Sequence, residues 1–216
     1  MINKLQKRDC DINIKLTPSG AQFLHFEMDV AGDKFDYLPA STMSVQFGAF
    51  VSAVYKLFIE DIDDEHTEWG DREYLSDENH VIHTVVTKIS WEDEGTDVDI
   101  IFSRKVSRKV SDKIDYENDM LDIEIRSYDE ILKQYTLKTK DFCYAVAKAC
   151  TEVLKKYGFY GYRHSTEYDY FILHQLLYIK CFALGNFGAR ELTDADDEFT
   201  KKTSFEKEME LLMFDM

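Results

Sequence analysis

The sequence predicts an α+β fold, with one antiparallel sheet of about six strands covered by three to four helices. Apolar and polar residues alternate in several runs of the first two thirds of the chain, which is typical of half-buried strands. Apolar stripes with helical spacing dominate the last third. Strand-like segments precede most helix-like ones instead of alternating with them, which favours an antiparallel sheet. No Pro- or Ser-rich linker is present, so we expect 1–216 to form a single domain.

The first elements are predicted to be a hairpin and a helix. Alternation over 11–16 and 22–30 indicates two strands, and the Thr-Pro-Ser-Gly run at 17–20 is typical of a turn. On the second strand His25 shares a face with two acids, which indicates a solvent-facing side. A helix is predicted over 42–60 from the spacing of its apolar residues.

A meander of strands is predicted after the helix and after a long acidic loop at 61–79. Its strands are predicted over 80–91, 97–103, 120–126 and 134–138. The segment 104–111 repeats Arg-Lys-Val-Ser twice. We expect this basic segment to pair with the protein's own acidic surface or to lie in solvent.

The C-terminal third is predicted to be helical. An apolar stripe begins after Thr139 and ends before Gly158, a residue suited to a left-handed helix end. A second helix over 167–184 is apolar on nearly all sides and should be central. A third helix follows Thr203. Its predicted buried face consists of Phe205, Met209 and Leu212.

The composition excludes several classes of protein. The chain of 216 residues has 42 acidic and 26 basic residues, a net charge of −16, which argues against a nucleic-acid binder. The four cysteines form no Cys-x-x-Cys pair and are interpreted as small hydrophobic residues. No apolar stretch is long enough for a signal peptide or a membrane span, so we expect a cytoplasmic protein without membrane contact.

No catalytic, cofactor or metal motif is recognisable. The sequence lacks the dinucleotide, P-loop, serine hydrolase, zinc protease and kinase signatures. Asp61, Asp63 and Glu65 have the spacing of the first ligands of a calcium loop, but His66 and Arg72 occupy positions that need glycine and glutamate. We therefore predict no metal site, no cofactor and no catalytic residue.

A tyrosine-rich segment at 157–170 is a candidate ligand pocket, because tyrosine is enriched at binding surfaces. Its candidate residues are Tyr160, Tyr162, Arg163, His164 and Glu167. Two other interpretations remain open: a loop between helices whose aromatic rings cover the core, and a surface for a homodimer.

The negative charge is concentrated in one part of the sequence. Residues 60–99, called the acidic lobe below, contain 15 acids and two bases, a net charge of −13. Residues 1–59 sum to zero and residues 100–216 to −3. The candidate partner-binding residues are Asp61, Asp63, Asp64, Glu65, Glu68, Asp71, Glu92, Asp93 and Glu94.

The charge distribution favours an interaction protein that binds a basic protein. Inhibitors of nucleases and immunity proteins against toxins share this size and charge, and a dense acidic surface attracts basic partners. Two alternatives remain: a metal-assisted hydrolase that uses the carboxylates of the acidic loop, and a small-ligand binding module that uses the tyrosine-rich segment.

Overall fold

A computed structural model describes residues 11–19, 23–38, 43–58, 74–77, 80–93, 96–109, 118–165, 173–184, 205–214 and 216. The described strands are β1 (Ile12–Ser19), β2 (Phe23–Val30), β3 (Asp33–Tyr37), β4 (Tyr74–Asp77), β5 (His80–Asp93), β6 (Thr96–Lys109), β7 (Met120–Ser127) and β8 (Glu130–Lys138). The described helices are α1 (Met43–Lys56), α2 (Thr139–Ser165), α3 (Leu173–Ala183) and α4 (Phe205–Met213). The predicted α+β class, with helices mostly C-terminal, is confirmed.

The strands form two antiparallel sheets, so the prediction of one sheet of about six strands is wrong. One sheet has the order β1-β2-β3, and the other has the order β4-β5-β6-β7-β8, with four long strands and the short edge strand β4. Two short strands were not predicted. β3 has a single buried residue, Phe35, and β4 has only four residues, so neither shows a clear alternation.

The three-stranded sheet also corrects the predicted first turn. β1 runs through Pro18 and Ser19, where a turn was predicted. Because β1 is an edge strand of its sheet, a proline is tolerated there. The turn between β2 and β3 is Ala31-Gly32, with φ of 51° and 90°. Positive φ at both positions matches the right-handed twist of a tight hairpin.

An aromatic core joins the two sheets and the helices. The ring of Phe50 on α1 lies 5.4 Å from Phe26 on β2 and 6.3 Å from Phe102 on β6. Phe102 in turn lies 5.5 Å from Phe142 on α2. Buried residues of both sheets and of α1, α2 and α3 belong to one hydrophobic cluster. The core is therefore shared, with α1 packed between the two sheets.

The two long C-terminal helices are where the sequence predicts them. The apolar stripe of α2 is buried, and all eight residues from Leu176 to Ala183 on α3 are buried, which confirms a central helix. The first helical segment of α2 ends at Gly158, where the sequence predicts a helix end. That residue has φ 64° and ψ 169°, and a second helical segment follows it up to Ser165. Within the described residues, no helix is long and apolar enough to cross a membrane.

The predicted buried face of α4 is wrong. Phe205 is 70% exposed and Met209 is 37% exposed, whereas Leu211 is only 1% exposed and Leu212 is half-buried. The helix carries apolar residues on two sides, with Phe205, Met209 and Met213 on one and Leu211 on the other. Helical periodicity cannot decide which of two apolar sides faces the protein.

Candidate functional site

Seven of the nine predicted partner-binding residues of the acidic lobe lie outside the described residues. The predicted partner-binding residues outside them are Asp61, Asp63, Asp64, Glu65, Glu68, Asp71 and Glu94. Glu92 and Asp93 are the last two residues of β5, and their backbones pair with Asp97 and Thr96 of β6. The described end of the lobe is therefore the tip of the β5–β6 hairpin.

The hairpin tip is held in place by a buried tryptophan. Trp91, only 2% exposed, stacks on the ring of Tyr37 at 5.8 Å and meets the ring of Phe26 edge-on at 5.1 Å. Because side chains alternate along a strand, its β6 partner Val98 also points inward, while the flanking Asp97 is exposed. The core thus fixes the tip, and Asp97 beside it is exposed to solvent.

The outer face of the five-stranded sheet continues this acidic surface. Asp99 accepts a hydrogen bond from Ser90 Oγ at 2.7 Å and forms an ion pair with Lys88 Nζ at 2.7 Å. Partial burial acts to raise the pKa of Asp99, but these two partners outweigh it and lower the pKa below the ordinary value. Asp99 is therefore ionised at neutral pH. Asp99 therefore pairs with Lys88, which is one of the two bases of the lobe.

The acids of β7 on the same face also have partners. Asp122 accepts from Thr136 Oγ1 at 2.7 Å and from Lys105 Nζ at 2.9 Å. Glu124 accepts from Arg126 and Gln134, and those hydrogen bonds lower the pKa of Glu124. Each acid of β7 thus has a base beside it. The central part of the sheet face carries little surplus charge, in contrast to the lobe.

The polar face of the three-stranded sheet confirms the predicted solvent-facing side. His25 Nε2 lies 2.5 Å from Asp36 Oδ1, its Nδ1 lies 3.7 Å from Glu27, and Glu27 also pairs with Lys15. These side chains are all at least partly exposed. Ion pairs of this kind contribute roughly 0–1 kcal/mol and form no enclosed pocket.

A buried charged cluster was not predicted. Arg104, expected at the surface as part of the basic segment, is 0% exposed. Its Nε and Nη2 donate to Asp119 Oδ2 at 2.8 and 2.6 Å, and its Nη1 donates to the carbonyl of Leu57 at 2.7 Å. Thr139 Oγ1 donates to Asp119 Oδ1 at 2.7 Å. The guanidinium also lies 4.5 Å from the ring of Phe58. We call Arg104, Asp119 and Thr139 the arginine cluster.

The sequence did contain a signal for this cluster. Val98, Ile100 and Phe102 are the inward-facing residues of β6, and the same alternation places Arg104 inward. Its polar atoms are bonded and enclosed, so the cluster can position α1, α2 and the start of β7. It offers no group to a ligand.

The described cysteines are also enclosed. Cys143, Cys150 and Cys181 are buried and form no disulfide, which agrees with their interpretation as small hydrophobic residues. Cys10 lies outside the described residues. Burial raises the pKa of the Cys150 thiol to about 12 and raises that of Cys143 as well. A nucleophilic cysteine needs an accessible thiolate, so these side chains are unsuited to covalent catalysis.

The described part of the tyrosine-rich segment, up to Ser165, has helical backbone after Gly158, whereas one interpretation of the sequence was a loop. The backbones of Tyr160, Tyr162, Arg163 and His164 belong to the part of α2 that follows Gly158. Gly158 separates this helical segment from the first helical segment of α2. Their side chains, and Glu167 altogether, lie outside the described part of the chain.

Across the described ranges, no group of three or more histidine, cysteine or acidic side chains is placed to hold a metal ion. Compared with protein-family models, with curated proteins and with solved structures, the chain matches none.

Proposed function

We propose that the protein binds a basic protein partner and acts as an inhibitor or immunity protein, for example against a nuclease toxin. The observation that carries this proposal is the charge distribution. The acidic lobe has a net charge of −13 in 40 residues, while the 59 residues before it sum to zero. Such a concentration creates a local field, whereas the same charge spread evenly would only favour solubility.

The described part of the lobe supports this proposal. Asp97 is exposed at the hairpin tip, and Lys88, one of only two bases in the lobe, is already paired with Asp99. Pairing within the lobe therefore cancels little of its charge. A basic partner that approaches this side gains long-range attraction before contact, which raises the association rate at low ionic strength.

The experiment is affinity purification with matched variants of the full chain. The lobe variant carries Asp61→Asn, Asp63→Asn, Asp64→Asn and Glu65→Gln. The control variant removes the same charge from exposed positions outside the lobe: Asp11→Asn, Asp129→Asn, Glu130→Gln and Glu152→Gln.

The wild type and the control variant should recover one basic protein in stoichiometric amount from an extract of the source cells at low salt. The lobe variant should fold normally and recover much less of it, because attraction depends on where the charge lies. Recovery of no stoichiometric partner by the wild type, or equal recovery by the lobe variant, would contradict the proposal.

A further inference from the structure

One face of α4 is apolar and exposed. Phe205 and Met213 are each 70% exposed, and Met209 is 37% exposed. Residues four apart lie on one side of a helix, so the three side chains form a continuous line, called the α4 stripe below. Long unbranched methionine side chains adapt to different apolar surfaces, which suits them to binding.

The helix that carries the stripe is fixed to the protein by its other side. Leu211 is 1% exposed and packs with Leu177 and Cys181 of α3. The Nζ of Lys180, a fully buried residue of α3, donates to the carbonyl oxygens of Leu212 and Phe214 at 3.0 and 2.7 Å. A positive charge at the last carbonyls of a helix is also favourable for the helix dipole. The stripe is therefore presented by a preorganised element, which lowers the entropic cost of binding.

The borders of the α4 stripe are acidic. At 100° per residue, Glu206 and Glu210 lie along one border, and Glu208 lies along the other, beyond the half-buried Leu212. Lys207, the single base of the helix, is half-buried and lies on the side opposite the stripe. An apolar line between glutamates is complementary to a helix whose apolar face is bordered by lysine or arginine.

We infer that the α4 stripe binds the apolar face of a basic amphipathic helix. The inference rests on the proposed function, since it gives the same basic partner a second contact. A second copy of the chain would bring glutamates against glutamates, and an anionic membrane would repel them. The stripe exposes on the order of a few hundred Å², below the roughly 800 Å² per partner of a stable interface. It is therefore one part of a larger contact.

The first test uses three synthetic peptides of equal length with the full-length wild type. The first is a leucine–lysine peptide with an amphipathic helical pattern. The second replaces its lysines with glutamate, and the third has the composition of the first in an order that gives no apolar face. Binding is followed on protein with ¹³C-labelled methionine methyl groups. The first peptide should shift the Met209 and Met213 signals and should bind at least tenfold more tightly than the others.

Matched variants locate the contact. Phe205→Gln with Met213→Gln should weaken binding of the first peptide at least tenfold, and Glu206→Lys with Glu210→Lys should weaken it similarly. The control is Ile131→Gln with Leu132→Gln, which removes two exposed apolar side chains of β8 and should change nothing. All six positions are exposed, and an unchanged thermal midpoint verifies folding.

Three outcomes would overturn the inference. The first is equal binding of the first and third peptides, which have the same composition, because that would indicate attraction by charge alone. The second is binding without change in the two methionine signals. The third is a wild-type dimer, detected by sedimentation, that Met213→Gln dissociates. If the lobe variant loses its natural partner while Phe205→Gln with Met213→Gln keeps it, the proposed function stands and this inference fails. If the lobe variant keeps the partner while Phe205→Gln with Met213→Gln loses it, the contact at the α4 stripe stands and the proposed role of the lobe fails.

Discussion

Arg104 and Lys105 are neighbours on β6, and each pairs with an aspartate, but the two pairs lie on opposite faces of the sheet. Arg104 and Asp119 are sealed in the core, with side chains 0% and 1% exposed. Lys105 and Asp122 lie on the outer face, 58% and 37% exposed. The N–O distances are similar, 2.6 and 2.9 Å. The two pairs differ most in burial, so the comparison shows what burial adds to a charge pair.

The largest effect is expected from Asp119→Ala. The substitution leaves the Arg104 guanidinium buried without its carboxylate and removes the acceptor of the Thr139 hydroxyl. Removing one partner of a buried ion pair costs about 3–5 kcal/mol. The free energy of unfolding, measured by urea titration, should fall by that amount.

The double variant Arg104→Met with Asp119→Ala is the control for this prediction. It removes both charges and should be more stable than Asp119→Ala alone, because no unpaired charge remains in the core. A loss below about 1 kcal/mol for Asp119→Ala would show that burial does not separate the two pairs.

An intermediate effect is expected from Lys180→Met, which keeps the length of a buried side chain and removes its charge. The carbonyl oxygens of Leu212 and Phe214 lose a donor, and unsatisfied buried polar groups cost roughly 1–3 kcal/mol. Amide hydrogen exchange in α4 should accelerate more than exchange in α2. Lys105→Met, at an exposed position, is the matched control and should change stability by less than about 1 kcal/mol. Equal effects of the two substitutions would contradict the comparison.

The smallest effect is expected from Asp122→Asn, with a loss below about 1 kcal/mol at neutral pH. Partial burial acts to raise the pKa of Asp122, but hydrogen bonds from Thr136 and Lys105 outweigh it and hold the pKa below 3.8. A lowered pKa in the folded state stabilises the fold above the unfolded pKa, and this contribution disappears as the pH falls through the folded pKa. The difference between wild type and variant in urea midpoint should therefore shrink as the pH falls through the lowered pKa of Asp122. A difference that persists below that pKa would have another cause.

Much of the architecture could be predicted from local patterns. Alternation located β2, β5 and β7 to within a few residues, and helical spacing located α1, α2 and α3. Each of these elements has one clearly apolar face, except α3, which is apolar on nearly all sides. The spacing of their apolar residues is therefore easy to recognise in the sequence. The surface with His25 was likewise predicted from its polar neighbours.

The remaining features depend on tertiary contacts. β3 contributes a single buried side chain, Phe35, so its five residues carry no readable period. Arg104 is buried because Asp119, the carbonyl of Leu57 and the ring of Phe58 converge on it from distant positions. Composition predicts an arginine at the surface, and only the three-dimensional arrangement supplies those partners.

The candidate site was predictable only at the level of charge. The count of acids locates a lobe at 60–99, and the structure adds that its described end is fixed to the core by Trp91. The α4 stripe was missed because Leu211 gives the helix an apolar residue on a second side, and packing against Leu177 makes that side the buried one.

The central claim is that buried charges stabilise the fold, whereas the acidic lobe serves partner association. The most direct test is the association rate of the purified partner with the wild type and with the lobe variant, measured by stopped flow over a range of ionic strength. The wild-type rate should fall steeply with added salt, and the variant should associate about tenfold or more slowly at low salt, with the same thermal midpoint as the wild type. An unchanged association rate at low ionic strength, or a variant that fails to fold, would contradict the claim.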